Sequence, residues 1–257
     1  MNSVVKVGII GIGNMGSAHF NCIYNSEIDG LKVTSVCDID TKKLKKVKES
    51  YTDIETFSNY KEFMLKSDTD AVIIAVPHPL HAEIAVAAFE SGKHVLLEKP
   101  IDIAVSKAEA LYREAKKSKK IFAIMFNQRT NGLFAEARRI VRSGELGELK
   151  RSVWLITNWY RTQNYYDSGA WRATWKGEGG GVLLNQAPHN LDIWQWICGM
   201  PKSVTAFLGV GKFHNIEVED EAEIFTEYEN GATGVFITST GDLPGTNRLE
   251  ITGTKGK

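Results

Sequence analysis

A glycine-rich turn near the start of the chain carries the first residues whose spacing suggests chemistry. The turn residues expected to contact a ligand are Gly11, Gly13, Asn14, Met15 and Gly16. The first glycine permits a tight turn, the second lets the backbone approach a pyrophosphate, and the third lets a helix pack on a strand. That helix is predicted over 14–26, and its N-terminus offers unpaired N–H groups to phosphates. The spacing predicts a dinucleotide site, and the alternative is a simple glycine turn.

Asp38 lies at the end of the second predicted strand, 22 residues beyond Gly16. A carboxylate at this point can accept hydrogen bonds from the adenosine ribose hydroxyls, and it repels a 2′-phosphate. We therefore predict NAD as the cofactor and disfavour NADP, although Lys42 and Lys43 are close enough in sequence to reach a phosphate. The alternative is that Asp38 caps the helix that follows.

Lys99 directly follows another predicted buried strand, at the edge of the sheet where α/β proteins bind ligands. Partial desolvation and a neighbouring cationic nicotinamide would both favour the neutral form of its amine. A neutral amine can take the proton of a hydroxyl group while hydride leaves the carbon. The alternative is a solvated surface lysine, because lysine is rarely buried.

His189 and Asn185 are four residues apart in a helix predicted over 185–197, so they are expected to share one helix face. A histidine here could hold or relay the substrate proton. Asparagine can hydrogen-bond a hydroxyl group but cannot take its proton. The alternative for His189 is a core histidine that is satisfied by a neighbour.

A segment over 158–172 is dense in aromatic residues and arginines, and the substrate-binding candidates within it are Tyr166, Trp171 and Arg172. Aromatic faces pack on sugar rings, and arginine donates to hydroxyl groups or carboxylates. Arg129, just past the last strand of the first domain, is a further candidate. Packing on a sheet face or at an oligomer interface is an equally good interpretation of the aromatic segment.

Composition excludes several classes of protein. The chain has 257 residues, 43% of them hydrophobic, and 31 basic residues balance 31 acidic ones, so we expect an ordered core and no binding to nucleic acid or anionic membranes. Cys22, Cys37 and Cys198 lack the spacing of a disulfide framework or a zinc site, and no metal site is predicted. No apolar run approaches the roughly 20 residues of a membrane helix. A soluble, cytoplasmic protein is expected.

The order of the predicted elements indicates an α/β protein with two domains. Strands and helices alternate over 1–125, as in a doubly wound parallel Rossmann sheet. Strands dominate 126–257, which predicts an α+β domain with a mostly antiparallel, open sheet for substrate binding and oligomerisation. That domain is expected to be incomplete at its C-terminus, because the chain stops on a strand and a turn. Its predicted elements are helices over 136–143 and 185–197 and strands over 149–160, 203–210, 222–228, 233–240 and 248–252.

Three further segments, 76–81, 92–100 and 179–192, together with the glycine turn, resemble the Gfo/Idh/MocA family of glucose–fructose oxidoreductases and inositol dehydrogenases. The resemblance implies that a carbinol carbon of a sugar, inositol or related polyol is oxidised or reduced with NAD(P). The family's Glu-Lys-Pro motif, with its catalytic lysine, falls on Glu98, Lys99 and Pro100. The resemblance also implies a homo-oligomer formed through the open sheet. The resemblance further implies that the cofactor site includes Pro77, His81, Glu98 and Lys99.

Position 185 departs from the family, since many members carry an aspartate there. The acid–base work would then rest on Lys99 and His189, while Asp192 is expected to make only a structural hydrogen bond. The departure leaves the substrate open. Two other functions also stay open: an enzyme that cleaves glycosides through transient oxidation by bound NAD, and a non-catalytic NAD-binding sensor or scaffold.

Overall fold

The computed structural model describes residues 4–25 and 28–257, and it divides into two compact units, Met1–Met125 and Phe126–Lys257. Each unit has its own sheet and its own hydrophobic core. The predicted helix over 14–26 ends at Tyr24, and its last predicted residue lies outside the described residues. The roles predicted for the two domains stay predictions.

The first unit contains a sheet of six parallel strands in the order β3-β2-β1-β4-β5-β6. Its strands are β1 (Val5–Ile10), β2 (Leu31–Cys37), β3 (Glu55–Phe57), β4 (Ala71–Ile74), β5 (His94–Leu97) and β6 (Phe122–Ile124). Its α-helices are α1 (Asn14–Tyr24), α2 (Thr41–Ser50), α3 (Tyr60–Lys66), α4 (His81–Glu90) and α5 (Val105–Ser118). This sheet confirms the predicted Rossmann fold.

Burial explains why the strands of the first unit read as continuous apolar runs. Ile9 and Ile10 of β1 and Ile74 of β4 are almost completely inaccessible, as expected when helices cover both faces of a parallel sheet. The sequence analysis missed β3 and α3. β3 has only three residues, two of which are polar, so it shows no pattern that would distinguish it from a loop.

The second unit contains a five-stranded sheet in the order β11-β7-β10-β9-β8. Its strands are β7 (Leu149–Ile156), β8 (Ser203–Val210), β9 (Glu219–Glu227), β10 (Thr233–Ser239) and β11 (Asn247–Gly253). Its helices are α6 (Gly132–Arg142), α7 (Gln163–Asp167) and α8 (Pro188–Cys198). The predicted mostly antiparallel sheet is confirmed, with one parallel pair, β7 with β10, that the sequence pattern did not predict.

One face of this second sheet carries the core of the unit. Trp154 and Phe236 are buried there, and the indole of Trp194 on α8 stacks on Phe236 with ring centroids 5.5 Å apart. The opposite face is open, and on it Phe207 is 71% exposed. Residues alternate between the two faces along β9, as the pleat of a strand requires.

Four predicted boundaries in the second unit are wrong by three or more residues, and one of them is the start of β9, which lies at Glu219 rather than at 222. The strand predicted to reach residue 160 ends at Ile156, and α6 begins at Gly132 rather than 136 because the Asn131 side chain caps it by accepting from the Leu133 N–H. Helix α8 begins at Pro188, which suits a first helical position because it has no N–H to satisfy. Asn185 therefore precedes the helix and does not share a helix face with His189.

Among the described residues, no helix is both long enough and apolar enough to span a membrane.

Candidate active site

The glycine turn between β1 and α1 is shaped by two close backbone approaches. A Cβ on Gly11, whose φ is +92°, would lie 2.4 Å from the Ala75 carbonyl oxygen, and one on Gly16 would lie 1.8 Å from the Gly11 carbonyl oxygen. A Cβ on Gly13 would have no described atom within 4 Å, so the backbone there is open to a ligand. No side chain caps the N-terminus of α1. This open, uncapped helix start fits a pyrophosphate.

Asp38 is built into this turn from the end of β2. Its Oδ2 accepts from the Ile12 N–H at 2.7 Å and its Oδ1 from the Asp40 N–H at 2.8 Å, and its side chain is only 8% exposed. The cap of α2 is Asp40, which accepts from the Lys42 N–H, so the alternative that Asp38 caps this helix is wrong. A carboxylate has about four acceptor sites, which leaves Asp38 capacity for ribose hydroxyl groups.

Two lysines line a surface cavity beside the glycine turn. Lys43 Nζ lies 3.5 Å from Asp38 Oδ2. It also lines a surface cavity of about 690 Å³ together with Gly13, Asn14 and Lys46. Asn14 and Met15 of the turn are exposed. The cofactor-binding roles predicted for these residues stay predictions.

Glu98 and Lys99 follow β5, which is separated from β1 only by β4. All three strands are parallel, so their carboxyl ends lie at the same edge of the sheet. The glycine turn follows β1 at this edge, the exposed Pro77 lies beyond β4, and Lys99 lies beyond β5. Lys99 is half-buried, and the peptide bond between Lys99 and Pro100 is cis. The sheet topology thus brings the predicted catalytic lysine to the cofactor edge.

The carboxylate of Glu98 is paired with His19, a residue of α1 that the sequence analysis missed. His19 Nε2 lies 2.8 Å from Glu98 Oε1, and the Lys99 N–H donates to Glu98 Oε2 at 3.3 Å. Burial raises the pKa of Glu98, but the hydrogen bond and charge of His19, with the charge of Lys99, outweigh burial and leave that pKa below its ordinary value. The pair therefore ties α1 to the backbone of Lys99.

His81 has a different environment from the one expected for a cofactor contact. Its ring is 1% exposed, and its two nitrogens lie 2.6 Å from the Pro100 carbonyl oxygen and 2.8 Å from the Val76 carbonyl oxygen. Burial lowers the pKa of His81 against the raising effect of these two carbonyl groups. The ring holds the segments after β4 and β5 together, and its burial argues against direct contact with the cofactor.

In the second unit, a buried glutamate holds the triple-glycine turn at 179–181. A Cβ on Gly181 would lie 1.8 Å from the Glu219 carbonyl oxygen, and Glu219 Oε1 accepts from the N–H groups of Gly181 and Leu183. This glycine is therefore required for packing on β9.

Asn185 follows this turn, and its side-chain amide donates to the carboxylate of Glu178. Its Nδ2 also lies 3.4 Å from the Tyr165 hydroxyl oxygen. His189 is the second residue of α8, and its ring meets the edge of Phe126 with centroids 6.0 Å apart. The catalytic roles of Asn185 and His189 stay predictions.

The aromatic segment separates into a core residue and a surface cluster. Tyr166 is buried, and its hydroxyl group pairs with Thr240 Oγ1 at 2.8 Å. Burial raises the pKa of Tyr166 to about 12, and this environment argues against the substrate contact predicted for it. The Arg172 guanidinium lies 4.5 Å from the Tyr165 ring centroid and 4.6 Å from that of Trp171, and it donates to the Tyr165 hydroxyl group. Trp171 and Arg172 are half-buried and stay candidates for substrate binding.

Arg129 is already engaged within the unit. Its Nε and a terminal nitrogen donate to the two oxygens of Asp192 at 2.8 and 2.6 Å, and the guanidinium lies 5.6 Å from the Trp196 ring centroid. This geometry agrees with the structural hydrogen bond expected of Asp192 and argues against Arg129 as a substrate contact. Within 4–25 and 28–257, no group of three or more His, Cys, Asp or Glu side chains could hold a metal ion.

Two family models match the chain. The model described as an oxidoreductase family with an NAD-binding Rossmann fold (GFO/IDH/MocA) matches residues 5–126, and the model described as the GFO/IDH/MocA C-terminal domain matches residues 134–257. The chain therefore belongs to the Gfo/Idh/MocA family of oxidoreductases, which confirms the resemblance.

Named relatives agree with this family. The chain is 27% identical over 224 residues to scyllo-inositol 2-dehydrogenase (NADP(+)) IolW of Bacillus subtilis, covering 87% of this chain and 60% of that protein. It is 25% identical over 261 residues to myo-inositol 2-dehydrogenase of Thermotoga maritima, covering 98% of this chain and 74% of that one. The chain thus spans between 60 and 74% of the length of these two relatives.

A solved structure supports the fold and the class of cofactor. The WlbA dehydrogenase from Chromobacterium violaceum, crystallised with NADH and UDP-GlcNAcA, is 27% identical to this chain and has a TM-score of 0.90. The alignment covers 98% of this chain and 72% of the WlbA chain. The expected class of protein, an oxidoreductase with a nicotinamide cofactor, is confirmed.

Proposed function

We propose that this protein transfers hydride between NAD and a carbinol carbon of a sugar, inositol or related polyol. The observation that carries the proposal is that Lys99 follows β5 at the same sheet edge as the glycine turn. A proton-accepting amine beside a dinucleotide site is what alcohol oxidation needs. Inositol dehydrogenases and a sugar-nucleotide dehydrogenase among the relatives support this substrate class.

The residues of the first unit divide the work. The N–H groups at the start of α1 bind the pyrophosphate, and Asp38 accepts from the ribose hydroxyl groups, which favours NAD over NADP. Bound NAD supplies the hydride acceptor. Lys99 takes the proton of the substrate hydroxyl group during oxidation and returns it during reduction, while the His19–Glu98 pair holds its backbone.

The second unit binds and orients the substrate. His189 exchanges a proton with the substrate through its imidazole ring. Asn185 hydrogen-bonds a hydroxyl group, and the indole of Trp171 and the guanidinium of Arg172 contact the sugar ring.

The test combines a substrate panel with one substitution. NADH formation is measured with NAD, and NADPH formation with NADP, using myo-inositol, scyllo-inositol, levoglucosan and UDP-GlcNAcA as probes. Net NADH formation separates a dehydrogenase from an enzyme that oxidises its substrate only transiently. We expect Lys99→Ala to lower kcat by roughly 10²- to 10⁴-fold with unchanged NAD affinity by calorimetry. The control Lys66→Ala removes an exposed lysine on α3.

Two results would overturn the proposal. Normal turnover by Lys99→Ala would remove the role assigned to the lysine. Tight NAD binding without turnover of any probe would instead favour an NAD-binding sensor.

We also propose that two copies of the protein pair through the open face of the second sheet. Phe207 and Phe225 are exposed there beside half-buried Val235 and Ile237 on β10. An apolar face of this kind marks an interaction surface. Light scattering should show a dimer or larger oligomer that Phe207→Lys weakens, and a monomer at all concentrations would contradict this.

A further inference from the structure

Glu178 is a buried acid in the second unit that the chemistry described so far does not use. It is 1% exposed, and its two oxygens face different partners. Oε2 accepts from the Ala173 N–H at 2.5 Å, and Oε1 accepts from the side-chain amide of Asn185. In both of these contacts the partner donates an N–H group, and donors of this kind favour the ionised form of a carboxyl group.

This contact orients the amide of Asn185. A carboxylate can only accept hydrogen bonds, so the Nδ2 of Asn185 must face Glu178 and its Oδ1 must point away from that oxygen. The other N–H of the amide is directed toward the Tyr165 hydroxyl oxygen, 3.4 Å away, which also receives a hydrogen bond from Arg172 at 2.9 Å. Asn185 is therefore held as an acceptor toward the side opposite Glu178.

The charge around position 185 follows from the same contacts. Asn185 itself carries no charge, and the carboxylate of Glu178 lies one hydrogen bond away. Tyr165 contacts Asn185, and Arg172 reaches it through the Tyr165 hydroxyl group. Glu178 also holds Ala173, whose φ of +50° is unusual for a residue with a side chain.

We propose that Glu178 is the positioning residue of the substrate site. Its carboxylate fixes the acceptor orientation of Asn185 and places a negative charge beside this uncharged residue. This inference rests on the proposed function for its catalytic consequence, but the contact and the charge can be tested without turnover.

The test moves the charge between the two residues. Asn185→Asp places a second carboxylate against buried Glu178, and like charges at this distance raise the pKa of the pair. A raised pKa in the folded state costs stability as pH rises above the unfolded value, so the melting temperature should match wild type near pH 4.5. It should fall by on the order of 5 °C at pH 8.

The double variant Asn185→Asp with Glu178→Gln restores one charge and both hydrogen bonds of Glu178 described above. The new amide at position 178 can accept from the Ala173 N–H and donate to the new carboxylate at position 185, so the stability at pH 8 should return to that of wild type. The control Glu217→Gln removes an exposed carboxylate of the same unit that accepts from the Trp175 N–H, and combined with Asn185→Asp it should not rescue. Equal stability of Asn185→Asp and wild type at pH 8 would overturn the inference, and so would rescue by the Glu217 control.

A kinetic readout tests the positioning role, with the panel compound that the wild type turns over best. Glu178→Gln alone can contact Ala173 and Asn185 only if the Asn185 amide flips, which would present a donor in place of the acceptor. We expect kcat to fall at least roughly tenfold and the double variant to regain it. If Glu178→Gln keeps the wild-type kcat and pH profile, the positioning role is wrong even if the stability pattern holds. Normal turnover by Lys99→Ala would overturn the proposed function but leave the contact and charge assigned to Glu178 intact.

Discussion

The two units bring their candidate functional residues together in different ways. In the first unit, the glycine turn, Asp38 and Lys99 each follow a strand of one parallel sheet, so the sheet itself collects them at one edge. In the second unit, Asn185 lies on a turn, and Tyr165 belongs to a helix of five residues. No strand ends there to align them, and hydrogen bonds between side chains and backbone hold them instead.

Buried carboxylates do similar work in both units. Asp38 accepts from the Ile12 N–H in the glycine turn of the first unit, and Glu219 accepts from the Gly181 N–H in that of the second. An ionised acceptor makes stronger hydrogen bonds to backbone N–H groups than a neutral one does. The difference is that the first unit adds this bond to a regular sheet, whereas the second relies on such bonds for the shape of its site.

The largest expected effect compares the tightest glycine of each unit. Gly16→Ala and Gly181→Ala would each place a methyl group 1.8 Å from a backbone carbonyl oxygen, which a rotamer change cannot relieve. We expect each to lower the free energy of unfolding by about 3 kcal/mol or more. Thermal unfolding and NAD calorimetry measure the effect. Gly16→Ala should also abolish NAD binding, whereas Gly181→Ala should spare it.

Gly13→Ala is the matched control, because its methyl group would meet no described atom within 4 Å. It should leave stability nearly unchanged and weaken NAD binding, since the methyl group would occupy space that the cofactor needs. Unchanged NAD affinity in Gly13→Ala would contradict the assignment of the turn to the pyrophosphate.

This contrast explains how far sequence reasoning reached. The residues at the cofactor site could be predicted because they stand in local sequence patterns. The glycines have a characteristic spacing, and the other residues follow apolar strands. Asp38 and Lys99 were both found in this way, since each follows an apolar strand. His19 was missed, because its pairing with Glu98 depends on how α1 packs against the end of β5.

The second unit was predicted less completely. Glu178 looks like an ordinary acidic loop residue in the sequence, and only the fold shows that it is buried against Asn185. Tyr166 was assigned to the substrate because aromatic residues fit both a sugar site and a core, and its pairing with Thr240 places it in the core. The parallel pairing of β7 with β10 is a long-range choice that local alternation does not encode.

The second prediction tests whether the first unit also depends on a side-chain pair. His19→Ala should lower the free energy of unfolding by about 2 kcal/mol at pH 7, because buried Glu98 loses its hydrogen-bond partner. The lowered pKa of Glu98 stabilises the fold above the unfolded pKa of about 4.3, and this contribution is lost as pH falls through the folded pKa. The difference between variant and wild type should therefore shrink below about pH 4.

Chemical denaturation over this pH range provides the measurement, and His94→Gln serves as the control. His94 lies on β5 and accepts from the Ile121 N–H, so its loss should cost stability without this pH dependence. A constant difference between His19→Ala and wild type from pH 7 to about pH 3.5 would show that Glu98 does not depend on His19.

The smallest expected effect concerns the lysine nearest the cofactor carboxylate. Lys43 Nζ lies 3.5 Å from Asp38 Oδ2 in the lysine-lined cavity beside the turn, where its charge partly offsets the repulsion between Asp38 and a 2′-phosphate. Lys43→Ala should weaken NADP binding by roughly threefold to fivefold and change NAD binding less than about twofold, since this lysine is partly exposed and screened. The NADP effect should fade in high salt. Lys45→Ala, on the same helix but more exposed, should change neither affinity. If Lys43→Ala weakens the binding of NAD and NADP equally, Lys43 instead supports Asp38 within the turn. Side-chain contacts as well as backbone N–H groups would then shape the cofactor site.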